Sequence, residues 1–429
     1  MNLYQSWQSI ADQFSEEQAL LDWKSGRAWT FGQLQQEVER LPSAKAQEVM
    51  SANAWTVDLI FETLRAWRDG CLFCPVEGDP PDAAQFEDVA EQIVHVKMTS
   101  GSTAQPKLIL FTADQLAADA ANIVTTMGLR TGWPNLGVIS MAHSYGFSNL
   151  VIPLLLHGIP LIWSGDPLPA RMAAIFSEIK SPCTLPAVPA MWRVWLQAGA
   201  LKGADVKLAI SAGAPLSLEL EKRLYEEVGL KVHNFYGSSE CGGIAYDRSD
   251  SPRSDRACVG TAMDRVDLQI RSEDGCLVVS SEAVGESYWP PSVGGGPLQS
   301  RQFVTADRAE IKSPGGELLL HDRHSDTINV AGRKVAPGKI EAAILKANPS
   351  LDYCLVFGVP SKDPERVEEV VACVSATKSP GQPAQIKSSL AHYLENFEMP
   401  RHWWFCSDLT PNARGKLPRS EWRQRYLSQ

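Results

Sequence analysis

Residues 96–107 read VKMTSGSTAQPK. The strand-like start, Val96 to Met98, runs into Thr99, Ser100, Gly101, Ser102, Thr103, Ala104, Gln105, Pro106 and Lys107. A nucleotide triphosphate needs many donors at close range. Small hydroxyl residues and glycine let backbone N–H and side-chain O–H groups surround phosphates. Lys107 adds a point charge at the end of the run. The spacing is not the G-x-x-x-x-G-K-[ST] of a P-loop. Polar turns after strands also carry Ser, Thr and Gly, so the reading depends on what surrounds the stretch.

From residue 96 to about 245, apolar runs such as LGVIS, IPLIW, CTLPAV, VKLAIS and KVHNFY alternate with amphipathic runs such as PARMAAIFSEI and LELEKRLYEEV. Strands alternating with helices predict a largely parallel, helix-covered sheet. Upstream, TFGQLQQEVERL spaces Phe31, Leu34, Val38 and Leu41 as a helix does, and DLIFETLRAWRDG ends its helical pattern on Gly70. From about 258 to 320 the chain turns strand-rich, and from about 325 it has mixed elements of its own. The expected fold is therefore α/β. A large N-terminal domain of helix-covered sheets with a β-rich subdomain spans 1–324, and a small α+β C-terminal domain spans 325–429.

Five further segments follow in order: SAGAPLS (211–217), NFYGSSE (234–240), FVTADRA (303–309), DRHSDTINVAGRKVAPGKIE (322–341) and LTPNARGKLPR (409–419). Taken with 99–107, they resemble the motifs of the adenylate-forming superfamily, which contains acyl-CoA synthetases, aryl-CoA ligases and peptide-synthetase adenylation domains. The chain is most similar to the acyl- and aryl-CoA ligases. Departures are Ala104 for a glycine, Ser239 for a threonine, Ser325 at the hinge position and Asn412 for a threonine.

The resemblance implies roles residue by residue. Thr99, Ser100, Gly101, Ser102, Thr103 and Lys107 would hold the phosphates of ATP. Gly213, Ala214 and Pro215 would border the adenine, with Asn234, Tyr236 and Gly237 beside it; a tyrosine offers a flat apolar face. Ser239 would touch phosphate, and Glu240 would supply a hard oxygen ligand to Mg²⁺. Asp307 would accept the ribose hydroxyls, with Arg323 nearby in the nucleotide site. Lys416 would bridge the carboxylate and the α-phosphate as charge builds. Ser325 would be the hinge, and Gly332, Arg333 and Lys334 would face the thiol.

The segment MAHSYGFSNL (141–150) resembles the family's acyl-site stretch, which makes His143, Tyr145 and Gly146 the candidate substrate residues. No Asp or Glu lies between Met141 and Pro153. A buried substrate ammonium needs a carboxylate partner, so an α-amino acid is disfavoured and an aryl or fatty acid is expected. The acceptor is expected to be a separate molecule, coenzyme A or the phosphopantetheine of an acyl carrier protein. A non-catalytic nucleotide- or acyl-binding relative is the alternative from another class.

Composition narrows the partners. The formal net charge of −10 argues against a nucleic-acid footprint. The longest apolar patch, 150–163, is interrupted by Pro153, His157, Gly158 and Pro160, too broken for a membrane span. The start MNLYQSWQSIADQF has no basic region leading into an apolar run, so the expected compartment is the cytoplasm. The nine cysteines are an odd count without zinc-site spacing, and the Cys71/Cys74 pair reads as part of a buried strand.

Overall fold

The computed structural model describes residues 1–429 except 46–47, 100–106, 180, 292–297, 299–300, 324–327, 331–332, 350, 363–367, 376–385, 387–388, 391–392 and 413–415. The side chains of Thr99, Asp322, Arg323, Asn329, Arg333 and Lys334 also lie outside the description. The chain divides into two compact units. The first comprises Met1–Gln269, Val278–Val304 and Ile311–Leu319; the second comprises Ile270–Leu277, Thr305–Glu310 and Leu320–Gln429.

The first unit begins with helix α1 (Leu3–Gln13), strands β1 (Gln18–Asp22) and β2 (Arg27–Thr30), and helix α2 (Phe31–Arg40). Thr30 and Gln33 form a reciprocal capping box at the start of α2, and the predicted stripe of Phe31, Leu34 and Val38 is buried. Strand β3 (Val49–Asn53), helix α3 (Asp58–Asp69) and strand β4 (Leu72–Val76) follow. Next come β5 (Ile93–Thr99), β6 (Lys107–Thr112) and helix α4 (Ala113–Met127), which Thr112 and Gln115 cap in the same reciprocal way. Strands β7 (Asn135–Gly137), β8 (Leu161–Trp163), β9 (Cys183–Ala187), β10 (Val206–Ser211), β11 (Val232–Ser238), β12 (Gly242–Tyr246) and β13 (Cys258–Ala262) complete the run.

These strands form two sheets. Among the described residues, one has the order Ser287–Trp289, β6, β5, β4, β3. Its β3, β4 and β5 are parallel, β6 is antiparallel to β5, and Ser287–Trp289 is antiparallel to β6. The other contains the run β13-β12-β11-β10-β9-β7-β8-β1-β2 and continues beyond β13 through four further strands. Its centre, from β11 through β8 to β1, is parallel. The expectation of helix-covered, largely parallel sheets is met. The helices are needed because both sheet faces are apolar: β4 and β9 are buried at every position. The core beneath holds Trp7, Phe31, Phe147, Trp163, Trp192 and Trp195, all almost fully buried. Each such side chain contributes roughly 1.5–3 kcal/mol relative to exposure.

All nine cysteines are buried free thiols. Burial pushes the Cys74 thiol up to about 12, which suits a strand interior and not a redox pair. Among the described residues, no helix is long and apolar enough to cross a membrane.

The second unit contains a sheet in the order Cys354–Pro360, Glu368–Val374, His402–Phe405; the first pairing is antiparallel and the second parallel. Helix Pro337–Ala347 packs Ile340 and Ile344 into the same core as Val356 and Val370. Helix Arg419–Leu427 buries Trp422 against Trp404, ring centroids 5.6 Å apart. Arg419, at the start of its helix, ties it to the other helix through Glu341 at 2.7 Å and to the sheet through the Val356 carbonyl at 2.7 Å.

Candidate active site

β9, β10 and β11 are parallel neighbours, so their carboxyl ends open on the same edge. In open α/β sheets ligands bind outside such ends. The residues expected around a nucleotide collect here. Gly213, Ala214 and Pro215 form the turn after β10, before helix Leu218–Val228, which Ser217 caps. Asn234, Tyr236 and Gly237 lie on β11, and Ser239 and Glu240 lie in the turn to β12. Asn234 is buried, whereas Tyr236, Ser239 and Glu240 are half-buried.

Tyr145 closes this edge from beneath. Its hydroxyl lies 3.4 Å from the Ala187 carbonyl and 3.3 Å from the Ile210 carbonyl, at the ends of β9 and β10. One proton is shared between two acceptors. Burial pushes the Tyr145 phenol well above its ordinary range, so it remains a donor. Its ring stands 5.8 Å from that of Phe235 on β11.

Glu240 is held from the other sheet. Tyr288, on the strand Ser287–Trp289, donates its hydroxyl to Glu240 Oε1 at 3.1 Å. Burial and the adjacent Glu240 carboxylate both raise the Tyr288 phenol, which keeps it a donor. The Lys107 ammonium sits 5.3 Å from the centroid of the same ring, within reach of a cation–π attraction. A tyrosine therefore joins the lysine that ends the Ser/Thr/Gly stretch to the candidate metal carboxylate.

His143 joins the two sheets at a second point. Its Nε2 lies 3.0 Å from Oε2 of Glu77, the residue after β4; the spacing is that of an ion pair, the angle not that of a hydrogen bond. The 141–153 segment has no acid of its own, but Glu77 brings one to its edge. Gly146 is buried, and a Cβ there would stand 2.0 Å from the Ser140 carbonyl. It lets the helical segment 144–151 pack tightly onto its own approach.

The model of a family described as "AMP-binding enzyme" matches residues 49–289, more than half of the chain. The chain belongs to this AMP-binding enzyme family. Its relatives include a long-chain-fatty-acid–CoA ligase, FadD13, of Mycobacterium tuberculosis, 25% identical over 80% of this chain and 70% of that protein. They also include a feruloyl-CoA synthase of Amycolatopsis, 25% identical over 82% of this chain and 72% of that protein. Among solved structures, ATP-bound MatB from Rhodopseudomonas palustris superposes with a TM-score of 0.82 at 19% identity, covering 99% of each chain. The o-succinylbenzoate CoA synthetase MenE of Bacillus subtilis, in complex with its acyl-adenylate intermediate, superposes with a TM-score of 0.79 at 17% identity over 97% of each chain. These structural matches show the fold.

Two expected residues of the AMP-binding site belong to the second unit. Asp307 is half-buried on the strand Gln302–Ile311, where its N–H donates to Thr305 Oγ1 at 3.1 Å. Lys416 is exposed and paired with Asn412: Asn412 Oδ1 accepts the Lys416 N–H at 3.1 Å, and the Asn412 N–H donates to the Lys416 carbonyl at 2.9 Å. Asparagine, where the family has threonine, thus shapes the lysine's backbone. Ser100, Gly101, Ser102, Thr103, Ser325 and Gly332 lie outside the described residues, as do the side chains of Thr99, Arg323, Arg333 and Lys334.

Sequence reasoning missed Glu77 and Tyr288. Glu77 had a signal, since it is the first polar residue after a fully buried strand, where α/β folds place ligand groups. Tyr288 had none: it is 48 residues from Glu240, and no pattern links the two.

Proposed function

We propose that the chain is an AMP-forming acid–thiol ligase that activates an aryl or fatty carboxylic acid with ATP and passes the acyl group to coenzyme A. The observation that carries this reading is the join between Lys107, Tyr288 and Glu240 beside the open strand ends. It sets a cation over the ring and a carboxylate at the hydroxyl of one tyrosine. Family membership and the names of the relatives support it.

In the first step an acid oxygen attacks the α-phosphorus of ATP, an O–P bond forms, and pyrophosphate leaves with the electrons of the bond that breaks. Lys107 and Lys416 would balance the negative charge, and the turn 213–215 with Tyr236 would hold the adenine. Asp307 would accept the ribose hydroxyls. Positioning and electrostatics carry such a step. Mg²⁺, when bound, neutralises phosphate charge. Glu240 suits it, because this ion takes one or two carboxylates plus substrate phosphates. Among the described residues no larger cluster of His, Cys, Asp or Glu competes for it. In the second step a thiol attacks the acyl carbon and AMP leaves. The second unit would pivot at Ser325, withdrawing Lys416 and presenting the 332–334 face. On this reading the enzyme works in the cytoplasm, where ATP is plentiful.

The test is acid-dependent exchange of pyrophosphate into ATP over a panel of aryl and fatty acids, followed by AMP release with coenzyme A or a phosphopantetheinylated carrier. Exchange with at least one acid supports the ligase reading; none with any acid refutes it in favour of a binding protein. Faster release with the carrier replaces coenzyme A as acceptor. Lys416→Ala should nearly abolish exchange and spare transfer from supplied acyl-adenylate. Equal loss of both steps removes Lys416 from the adenylation role.

A further inference from the structure

Beneath the site lies a buried polar cluster that the proposed chemistry does not use. Lys97, Asp119 and Ser148 are 1%, 3% and 4% exposed. Asp119, on α4, accepts the Gly243 N–H at Oδ1 over 3.2 Å and the Ser148 hydroxyl at Oδ2 over 2.5 Å. The Lys97 ammonium stands 3.5 Å from the same Oδ2, 3.4 Å from Ser148 Oγ and 4.4 Å from the centroid of Phe111. The neighbouring His95 is fully buried and stacked 4.2 Å from Phe147.

Each partner of Asp119 belongs to a different site-bearing segment. Lys97 is two residues before Thr99 on β5, Ser148 three after Tyr145, and Gly243 three after Glu240. Gly242 has φ +69°, and a Cβ there would stand 2.0 Å from Asp119 Oδ1, so turn and carboxylate are built around one another. A buried ion pair is weak evidence for stability, since apolar residues of like volume serve as well. Its position where three segments converge calls for another account.

We propose that Asp119, with Lys97 and Ser148, is a positioning residue for adenylation: its carboxylate fixes the relative placement of the strand feeding the phosphate loop, the acyl segment and the Glu240 turn. This rests on the ligase reading. Two of the three segments it aligns, β5 and the Glu240 turn, serve the triphosphate and the leaving pyrophosphate, which are absent from the second step. Loss of alignment therefore slows the first half-reaction far more than the second. Misplacement by about 1 Å can cost on the order of 100-fold.

The experiment compares wild type with Ser148→Ala, Asp119→Asn and the apolar pair Lys97→Met/Asp119→Leu, each first checked for a cooperative melt. Expected are a loss of about 10-fold in pyrophosphate-exchange kcat for Ser148→Ala and about 10- to 100-fold for the others. The KM for ATP and transfer from supplied acyl-adenylate should stay within about 3-fold of wild type, well under the exchange loss. Ser148→Ala removes one hydroxyl and keeps the test open should the charge variants fail to fold. Folded variants exchanging at the wild-type rate overturn the inference, as does a parallel fall of both half-reactions, the mark of a merely structural role. A wild type that exchanges with no acid overturns the ligase reading, and this inference with it.

Discussion

Tyr288→Phe removes one oxygen and leaves the ring. The hydroxyl donates to the Glu240 carboxylate at 3.1 Å, and both residues are half-buried. A hydrogen bond to a charged acceptor is worth about 1.5–3 kcal/mol, and partial exposure argues for the lower end or below, about 1–1.5 kcal/mol. If the full amount is lost in the adenylation transition state, exchange slows about 5- to 15-fold. The phenylalanine ring still faces Lys107, whose ammonium lies 5.3 Å from the centroid. Tyr288→Leu loses that attraction too, worth about 0.5–1 kcal/mol, and should fall a further 2- to 5-fold or so. Pyrophosphate exchange at saturating acid and ATP measures both, with a thermal melt to confirm folding. Wild-type exchange by a folded Tyr288→Phe protein would refute the reasoning, because the tyrosine would then be packing and nothing more.

Two predictions concern pH. Burial, with Lys97 adding to it, holds the His95 imidazole well below its ordinary 6.5. Below about pH 6.5 the unfolded chain gains a proton there that the fold refuses, so this contribution is complete above that pH and is lost as pH falls, by up to about 1.4 kcal/mol per unit. His95→Phe should flatten the acid side of the urea-unfolding profile between pH 7 and 5.5, and an unchanged slope would contradict this. Asp247 shows the other pattern: burial alone would raise its carboxyl, but Lys231 at 2.6 Å and the Ser249 donors outweigh it and hold the pKa below the usual 3.8. Its contribution is present above about pH 4 and is lost as pH falls through the lowered pKa. Asp247→Asn should therefore cost about 3 kcal/mol at neutral pH, with the gap narrowing in acid; a gap that widens in acid would reverse the assignment.

Much of the fold was legible in the sequence because its signals are local. The stripe Phe31, Leu34, Val38 spaces itself within one helix, VKLAIS is a complete strand, and VHNFY begins another. The candidate site's edge was legible for the same reason, since Gly213–Pro215 and Asn234–Glu240 are contiguous runs at strand ends. What escaped notice depends on contacts between distant segments. Asp119 meets Lys97 22 residues away, Ser148 29 away and Gly243 124 away. Lys97 does leave a trace, a lone ammonium inside the run IVHVKM, but periodicity marks only a strand there and cannot say what waits on the buried face. Strand bounds also shifted where tertiary packing overrode composition: LGVIS suggested a strand through Ser140, yet pairing stops at Gly137, where the chain turns toward His143.

The burial of every cysteine has a practical side. All nine thiols are enclosed, and burial raises the pKa of each. Thiolate is the reactive form, so the folded protein should be nearly silent toward a coloured disulfide reagent. A catalyst whose second substrate is a thiol could then be followed by the disappearance of that thiol in real time, with little background from the enzyme. The same silence makes the reagent a gauge of intactness, because sulfur that begins to react reports a core that has opened.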